Sequence, residues 1–481
     1  MSKIKCILCA ALIIIVSGKF AYPDDSLQRS IQNEVKEARC KPDRVGVCFA
    51  DATTGEILAT FNPDAQFNPA SVSKLVTGAV AFETFGLPYS FTTHLYTNGT
   101  FDKKTGAITG DLYIRGGGDP GLTTERVWLL TGHLASIGLK SISGNIICDD
   151  FLFDSITTGP HFGEGESSRA YDSEVGALSA SFNSIEIFQS PGDSVGSPTV
   201  VTVFPSLKNI VVENKSLTIA ANRSGTIDLQ TRQSASTIIL TARGGRSISD
   251  PVKVSYRKAW QTWENFGYVF AMACAQQGIG FSGGIRHEKT PDTVLKRVPI
   301  YSFASQPLSS YVADMFKYST NFVAEMLYKS LSLANDPTAP ASWAGGSALV
   351  SKWWKTNNLP GTCTFTNGSG MGDANRISAS QVVALLNHVW RVRTYTPEYL
   401  GALPIAGVDG TLKSRFKNPR LRGIVRAKTG MLNDCGAYSL AGYILLPSRT
   451  ISFAILAHGA GPAYTTLWKM QEEMCLQAIK Q

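Results

Sequence analysis

The alternation of hydrophobic and polar positions predicts a sheet that the two ends of the chain build together. Residues 44–50 and 56–58, separated by the polar segment 51–55, are typical of a strand, a turn and a second strand. Residues 437–446 and 451–456 are apolar runs on either side of Pro447-Ser448-Arg449, and they predict two strands joined by a turn. If both pairs belong to one sheet, the middle of the chain is an excursion from it.

Longer apolar segments predict helices. Residues 75–82 are apolar enough for a largely buried helix, and residues 259–277 and 322–327 also favour helices. Residues 464–479 form an amphipathic stretch, which could anchor the chain on a membrane surface. Because this stretch lacks a strongly basic polar face, we expect it to pack on the sheet instead.

This pattern divides the chain into an interrupted main domain and two insertions. At 481 residues, length alone favours two to four domains. We place the main domain at 22–95 and 300–481. A first inserted domain takes 96–185 and 245–299, and a small β domain takes 186–244, where Val, Ile and Thr are frequent and turn residues punctuate the chain.

The first residues have the pattern of a secretory signal. Lys3 and Lys5 precede an apolar run over 7–16, and small residues follow as far as Ala21. The run is too short to span a bilayer, so we predict a signal peptide at 1–21, no transmembrane span, and a periplasmic location.

Composition narrows the class of protein. Charged residues make up 17% of the chain and apolar ones 43%, which favours a folded globular enzyme over a disordered chain. A net charge of +8 suits attraction to an anionic envelope polymer, while no basic cluster with interleaved aromatic residues indicates nucleic acid. Seven cysteines follow the leader without close pairs, so we expect mostly buried thiols, with one disulfide left open.

Two further patterns are weak evidence for cofactors. Gly116 to Gly121 formally fits a dinucleotide-binding fingerprint, but Pro120 would distort the required turn, and we interpret the segment as structural. The six histidines are dispersed and none forms a His-Glu-x-x-His motif. We therefore predict no cofactor and no metal.

Ser71 and Lys74 are the first chemical candidates. A lysine three residues after a serine on a helix lies over the same face, within reach of the hydroxyl. A buried lysine can be neutral and take the serine's proton, which makes the pair a nucleophile and a base. Pro69 before the pair and the apolar run after it distinguish Ser71 from three other matches to the spacing, which are Ser2/Lys5, Ser255/Lys258 and Ser414/Lys417.

Ser319 and Asn321 are the second candidates. A hydroxyl and an amide two residues apart, just before a predicted helix, suit a proton relay and the binding of a peptide amide. Ser181 and Asn183 have the same spacing and compete for this role, but they lie in a Ser-rich run before a predicted strand, so we prefer Ser319.

Lys428, Thr429 and Gly430 are the third candidates. They supply a cation, a hydroxyl and a residue that lets substrate approach the backbone, on a strand next to 437–446. Lys104-Thr105-Gly106 repeats the motif but precedes the Ser-x-Asn element, and we interpret it as a hairpin turn.

The order of these three motifs, with a long interval between Ser71 and Ser319, resembles the low-molecular-mass class C penicillin-binding proteins, a D-alanyl-D-alanine carboxypeptidase/endopeptidase family. The segments 110–120, 143–150, 367–370 and 407–412 are also similar to that family. The resemblance implies an α/β (α+β) fold of the penicillin-binding-protein/β-lactamase type, with an antiparallel sheet flanked by helices and two inserted, mainly β domains.

The resemblance also implies a serine peptidase of peptidoglycan peptides that β-lactam antibiotics inhibit. In it, Ser71 would be the nucleophile, Lys74 the base and Ser319 a proton relay. The remaining residues would bind substrate. Asn321 would bind the substrate's amide, and Lys428 and Thr429 would bind its carboxylate. Gly430 would let the substrate approach the backbone, and the Met431 N–H would hold the oxyanion.

Several points stay open at this level. The family commonly has aspartate at the position of Asn367 and a smaller residue at that of Met431. Glu164 or Glu166 could pair with an ammonium group of the substrate, although a solvated loop is the commoner outcome for such residues. The sequence does not decide between carboxypeptidase and endopeptidase activity, nor does it give the oligomeric state. A β-lactamase-like hydrolase and a non-catalytic envelope protein are the alternative functions, and the intact motifs argue against the second.

Overall fold

A computed structural model describes residues 25–160, 162 and 168–480 of the chain. The predicted signal peptide at 1–21 and the candidates Glu164 and Glu166 lie outside the described residues. Helices and strands alternate through the rest, and both ends of the described chain are helical.

Eleven α-helices lie within these residues. They are α1 Asp25–Glu37, α2 Ser73–Phe85, α3 Thr124–Ser136, α4 Thr262–Gln276, α5 Asp292–Leu295, α6 Leu308–Lys317, α7 Asn321–Leu331, α8 Trp343–Thr356, α9 Ala379–Val392, α10 Thr396–Ala402 and α11 Tyr464–Ala478.

The same part of the chain forms twenty strands. They are β1 Val45–Asp51, β2 Ile57–Phe61, β3 Thr92–Thr97, β4 Thr100–Asp102, β5 Ala107–Thr109, β6 Leu112–Arg115, β7 Ser141–Ile142, β8 Ile146–Asp149, β9 Ser184–Ser190, β10 Val200–Phe204, β11 Ile210–Ile219, β12 Ile227–Ser234, β13 Thr237–Ser247, β14 Lys253–Lys258, β15 Gly280–Phe281, β16 Ile285–His287, β17 Tyr301–Ala304, β18 Val425–Leu432, β19 Ala437–Leu445 and β20 Thr450–His458.

The main sheet has the antiparallel order β18-β19-β20-β1-β2, so both ends of the chain do build it, as predicted. Alternate residues of each strand face opposite layers because side chains in a strand alternate between faces. Val47 and Phe49 pack in a core shared with α1 and α11, whereas Cys48 and Ala50 pack in a core shared with α2 and α6 to α10. The prediction that 464–479 packs on the sheet is therefore confirmed.

The excursion between β2 and α6 contains four further sheets. Two have the orders β16-β8-β6-β3-β17 and β15-β7-β5-β4 and contain parallel pairs, with α3 and α4 packed against them. The segment 184–258 forms the sheets β10-β9-β14 and β11-β13-β12. The pairing of β3 with β17 brings residues that we assigned to the main domain into a sheet of the first inserted domain. The bounds placed at 95 and 300 remain a prediction.

The cysteines from Cys40 to Cys475 are free thiols, and five of the seven are buried, which confirms the sequence interpretation. Burial raises the pKa of the Cys48 thiol to about 12, so it stays protonated at neutral pH. In the part of the chain described here, no helix combines the length and the apolar character needed to cross a membrane.

Candidate active site

The turn that carries Ser71 is held in an unusual backbone conformation. Ser71 lies in the short 3₁₀ turn Ala70–Val72, directly before α2, and Ala70 has φ +49°. That left-handed conformation is uncommon for a residue with a side chain. The buried Asn68 side chain supports it, since its Oδ1 accepts the Ala70 N–H at 2.8 Å and its Nδ2 donates to the Gly372 carbonyl at 2.9 Å.

Lys74 brings the first two motifs together. Its Nζ lies 2.9 Å from Ser71 Oγ, 2.8 Å from Asn321 Oδ1 and 2.8 Å from the Ser369 carbonyl oxygen. The residue is fully buried, and burial lowers its pKa to about 7, against the nearby Glu325 carboxylate, which raises it. Near neutral pH this lysine therefore exists in both the charged and the neutral form.

Ser319 and Asn321 lie at the junction between α6 and α7, where Asn321 is the first residue of α7. Ser319 has φ +59°, a second strained backbone position at the site. Its Oγ accepts a hydrogen bond of 2.8 Å from Lys428 Nζ, which links the second motif to the third. The Asn321 amide also donates to the Tyr171 carbonyl of the inserted region at 3.3 Å.

Lys428 and Thr429 lie on β18 at the edge of the main sheet. Lys428 is fully buried, and its pKa is well below the ordinary value, first because of burial and then because of the charge on Lys74. The Thr429 hydroxyl donates to Thr411 Oγ1 at 2.9 Å. Each of the two buried lysines thus donates to one serine hydroxyl, Lys74 to Ser71 and Lys428 to Ser319.

Gly430 and Met431 continue β18 past the turn that carries Ser71. A Cβ atom at Gly430 would lie 2.5 Å from the Pro69 carbonyl oxygen, so a residue with a side chain does not fit here. Gly370 approaches the same turn from the other side, with φ +82° and a Cβ position 2.0 Å from the Ala70 carbonyl oxygen. Met431 is 44% exposed.

The competing candidates have structural partners, although Ser181 lines the same cavity as Ser319 and Asn321. Ser181 Oγ accepts the Thr124 N–H at the start of α3, and buried Asn183 donates to the carbonyls of Glu174 and Ala259. Thr105 donates to Asp102 in the turn between β4 and β5. The hairpin interpretation of 104–106 is therefore confirmed.

Asn367 holds the loop that reaches Lys74. Its Oδ1 accepts the Gly370 N–H at 2.8 Å, and its Nδ2 donates to the carbonyls of Met371 and Pro160 at 2.8 and 3.2 Å. An ionised aspartate has no hydrogen to donate to these carbonyls. The departure from the family pattern thus matches the local hydrogen bonds of this chain.

A cavity of about 710 Å³ opens beside Ser319 and Asn321. It lies between α6, α7 and the inserted regions. Its walls include the aromatic side chains of Tyr171, Phe182, Phe204, Tyr256 and Tyr318. They also include three carboxyl groups, those of Glu125, Glu186 and Asp314. Burial raises the pKa of Asp314.

One group among the described residues has the donor set for a metal ion. Ligand atoms of Asp373, Cys435 and His458 lie within 4.8 Å of one another. Sequence reasoning missed the group because its members are far apart in the chain. The Arg376 guanidinium lies 3.0 Å from Asp373 Oδ1, so a cation already pairs with this carboxylate.

Sequence reasoning also gave no role to Glu325, Ser369 or Thr411, all of which contact or adjoin the candidate residues. The signal for Glu325 was present, because it is a carboxylate four residues after Asn321 in an otherwise apolar helical segment. The carbonyl of Ser369 left no signal, since any residue type supplies one.

Solved structures support the predicted fold class. The chain is similar to penicillin binding protein 4 from Haemophilus influenzae, with a TM-score of 0.78 and 20% identity over 93% of this chain and 99% of that one. It is also similar to a predatory peptidoglycan endopeptidase from Bdellovibrio bacteriovorus, with a TM-score of 0.53 and 17% identity over 91% and 92% of the two chains.

Curated sequences give the same family. A D-alanyl-D-alanine carboxypeptidase from Actinomadura sp. (strain R39) is 27% identical over 436 residues, which are 87% of this chain and 78% of the relative. A second relative, from Haemophilus influenzae, is 23% identical over 92% of this chain and 91% of its own length. Residues 27–474 match the D-Ala-D-Ala carboxypeptidase 3 (S13) family as a whole. The chain therefore belongs to this family and is a serine-type D-Ala-D-Ala peptidase.

Proposed function

We propose that Ser71 attacks the carbonyl of the penultimate D-alanine in peptidoglycan peptides while neutral Lys74 accepts its proton. The contacts of Lys74 with both Ser71 and Asn321 are the observation that carries this assignment. A base within hydrogen-bond reach of a hydroxyl is the arrangement that activates a serine. The resulting acyl-enzyme is released by water.

Ser319 passes a proton to the departing D-alanine nitrogen, and the proton that Lys74 took from Ser71 makes good this loss. Lys428 stays charged and orients the Ser319 hydroxyl, to which it donates at 2.8 Å. Asn321 binds the substrate's amide. Lys428 and Thr429 bind the terminal carboxylate, and the N–H groups of Ser71 and Met431 hold the oxyanion, beside a backbone that Gly430 keeps accessible. The arriving carboxylate favours the charged form of Lys428, and repulsion between the two lysines then favours neutral Lys74.

Penicillin mimics the terminal D-Ala-D-Ala and acylates the same serine. The test is peptide mapping by mass spectrometry after labelling with a penicillin. We expect the adduct on Ser71, and an adduct confined to another residue would overturn the assignment.

The acylation rate should rise with pH through neutrality. Lys74 acts in its neutral form, and its pKa is lowered to about 7, so the active fraction grows as the pH increases past that value. Rates of acylation by a labelled penicillin, measured from about pH 5.5 to about pH 9, should show an acid limb near 7. A rate that stays flat across neutrality contradicts the role of Lys74 as the base.

D-alanyl cross-links are a second class of substrate. The leaving amine departs toward Ser319, and the cavity of about 710 Å³ beside Ser319 has room for more than a single D-alanine. We expect the purified protein to cleave cross-linked wall peptides as well as monomeric pentapeptides, with products resolved by liquid chromatography. Release of D-alanine from monomers without any cleavage of cross-linked dimers would limit the enzyme to carboxypeptidase activity.

We place the reaction in the periplasm. The leader pattern at 1–21 supports this location, and peptidoglycan is the polymer that such peptidases act on.

A further inference from the structure

Glu325 is a buried carboxylate that the reaction scheme leaves without a role. It is 1% exposed and lies in α7, one helical turn after Asn321. Residues four apart on a helix share a face, so Glu325 lies behind Asn321 on the side of the reacting groups. A carboxylate in such a position is costly unless hydrogen bonds and a countercharge compensate its burial.

Three donors compensate the carboxylate. Its Oε1 accepts the Ser369 N–H at 2.9 Å, and its Oε2 accepts the Gly368 N–H at 3.1 Å and Trp343 Nε1–H at 2.7 Å. Two of these donors belong to the loop whose Ser369 carbonyl accepts from Lys74 Nζ at 2.8 Å. Glu325 therefore fixes the two peptide units directly before the one whose carbonyl faces the lysine.

The charges around Lys74 give the carboxylate a second effect. The lysine faces the Ser71 hydroxyl, the Asn321 side-chain oxygen and the Ser369 carbonyl, and Lys428 lies across the site as a second cation. Glu325 opposes the effect of burial on Lys74. It also faces Tyr328, Trp343 and Lys329, but Lys329 is already paired with Asp154 at 2.6 Å.

We propose that Glu325 is a positioning residue for acylation, which supports the loop that presents the Ser369 carbonyl to Lys74 and supplies a buried negative charge beside that lysine. The proposal rests on the assignment of Lys74 as the base. In this scheme Glu325 does not touch substrate, but it sets the geometry and the proton affinity of Lys74.

Glu325→Gln tests the proposal. The amide removes the charge and places an NH₂ group against backbone N–H donors, so the loop loses part of its support. We expect the acylation rate to fall by roughly 10-fold and its acid limb to move to lower pH, because neutral Lys74 becomes easier to form. An unchanged acid limb in a folded Glu325→Gln protein overturns the proposal.

Matched variants separate this role from a general structural one. Glu83 is another partly buried carboxylate that accepts from a tryptophan, Trp353 Nε1, at 2.7 Å, and it lies at the far end of α2. Glu83→Gln should lower the melting temperature without moving the pH profile. Trp343→Phe removes one donor and keeps the Glu325 charge, so it should lower the rate with the acid limb in place.

If Glu325→Gln does not fold, Glu325→Asp decides. Aspartate keeps the charge but moves it away from the loop by one methylene. We therefore expect slower acylation, with an acid limb at slightly lower pH. Wild-type values of both the rate and the acid limb overturn the proposal. Failure of the proposed function itself gives a different result, since the wild-type protein would then show no penicillin adduct on Ser71.

Discussion

Replacing Ser71 with alanine is expected to abolish formation of the covalent penicillin adduct and to lower D-Ala-D-Ala hydrolysis by on the order of 10⁴-fold or more. The hydroxyl is the proposed attacking group. Its Oγ lies 2.9 Å from Nζ of the buried Lys74, which would take its proton. Labelled penicillin followed by mass spectrometry measures the first effect, and D-alanine release from a pentapeptide measures the second.

The chain offers a matched control for this change. Ser414 has a lysine three residues later, as Ser71 does, but it is exposed and lies in a turn. Ser414→Ala should leave both labelling and hydrolysis at wild-type values. Residual activity of Ser71→Ala comparable to that of Ser414→Ala would mean that another residue forms the acyl-enzyme.

Lys74→Arg is expected to slow acylation by roughly 10²- to 10⁴-fold, because a guanidinium stays protonated throughout the accessible pH range and cannot act as a base. The neutral form that burial makes available to Lys74 is what the substitution removes. The rise in rate near pH 7 should also disappear from the profile of labelled penicillin binding.

Lys74→Met provides the check on folding, since it matches the lysine stem without a charge. We expect Lys74→Met to be as slow as Lys74→Arg and still to unfold cooperatively, with a lower melting temperature than the wild type, because the Asn321 and Ser369 oxygens lose their buried donor. If Lys74→Arg acylated at the wild-type rate, the base would have to be sought elsewhere in the site.

The main sheet and its motifs were predictable because their signals are local. Apolar runs at 437–446 and 451–456 have the length and turn residues of strands, and Ser71 and Lys74 are neighbours on one helix. The order of the three motifs and the resemblance indicated which candidates meet. In this structure Lys74 donates to Ser71 and Asn321, and Lys428 donates to Ser319.

What the sequence did not predict depends on contacts between distant segments. The Ser369 carbonyl and the Glu325 carboxylate act through a loop whose path cannot be read from residue types. The strand pairing of β3 with β17 joins residues about two hundred positions apart, so the exact transition into the insertion was not visible in the pattern. Hydrophobic periodicity specifies elements, whereas it does not specify their partners.

The pairing of β1 with β20 has a consequence for when the folding chain becomes active. Val45 lies opposite Ala457, so the sheet that supports the nucleophile stays incomplete until nearly the whole chain is available to fold. Closing such a long loop is slow, and the early segments remain unpartnered in the meantime. A chain truncated before residue 450 would carry both Ser71 and Lys74 and yet bind no penicillin.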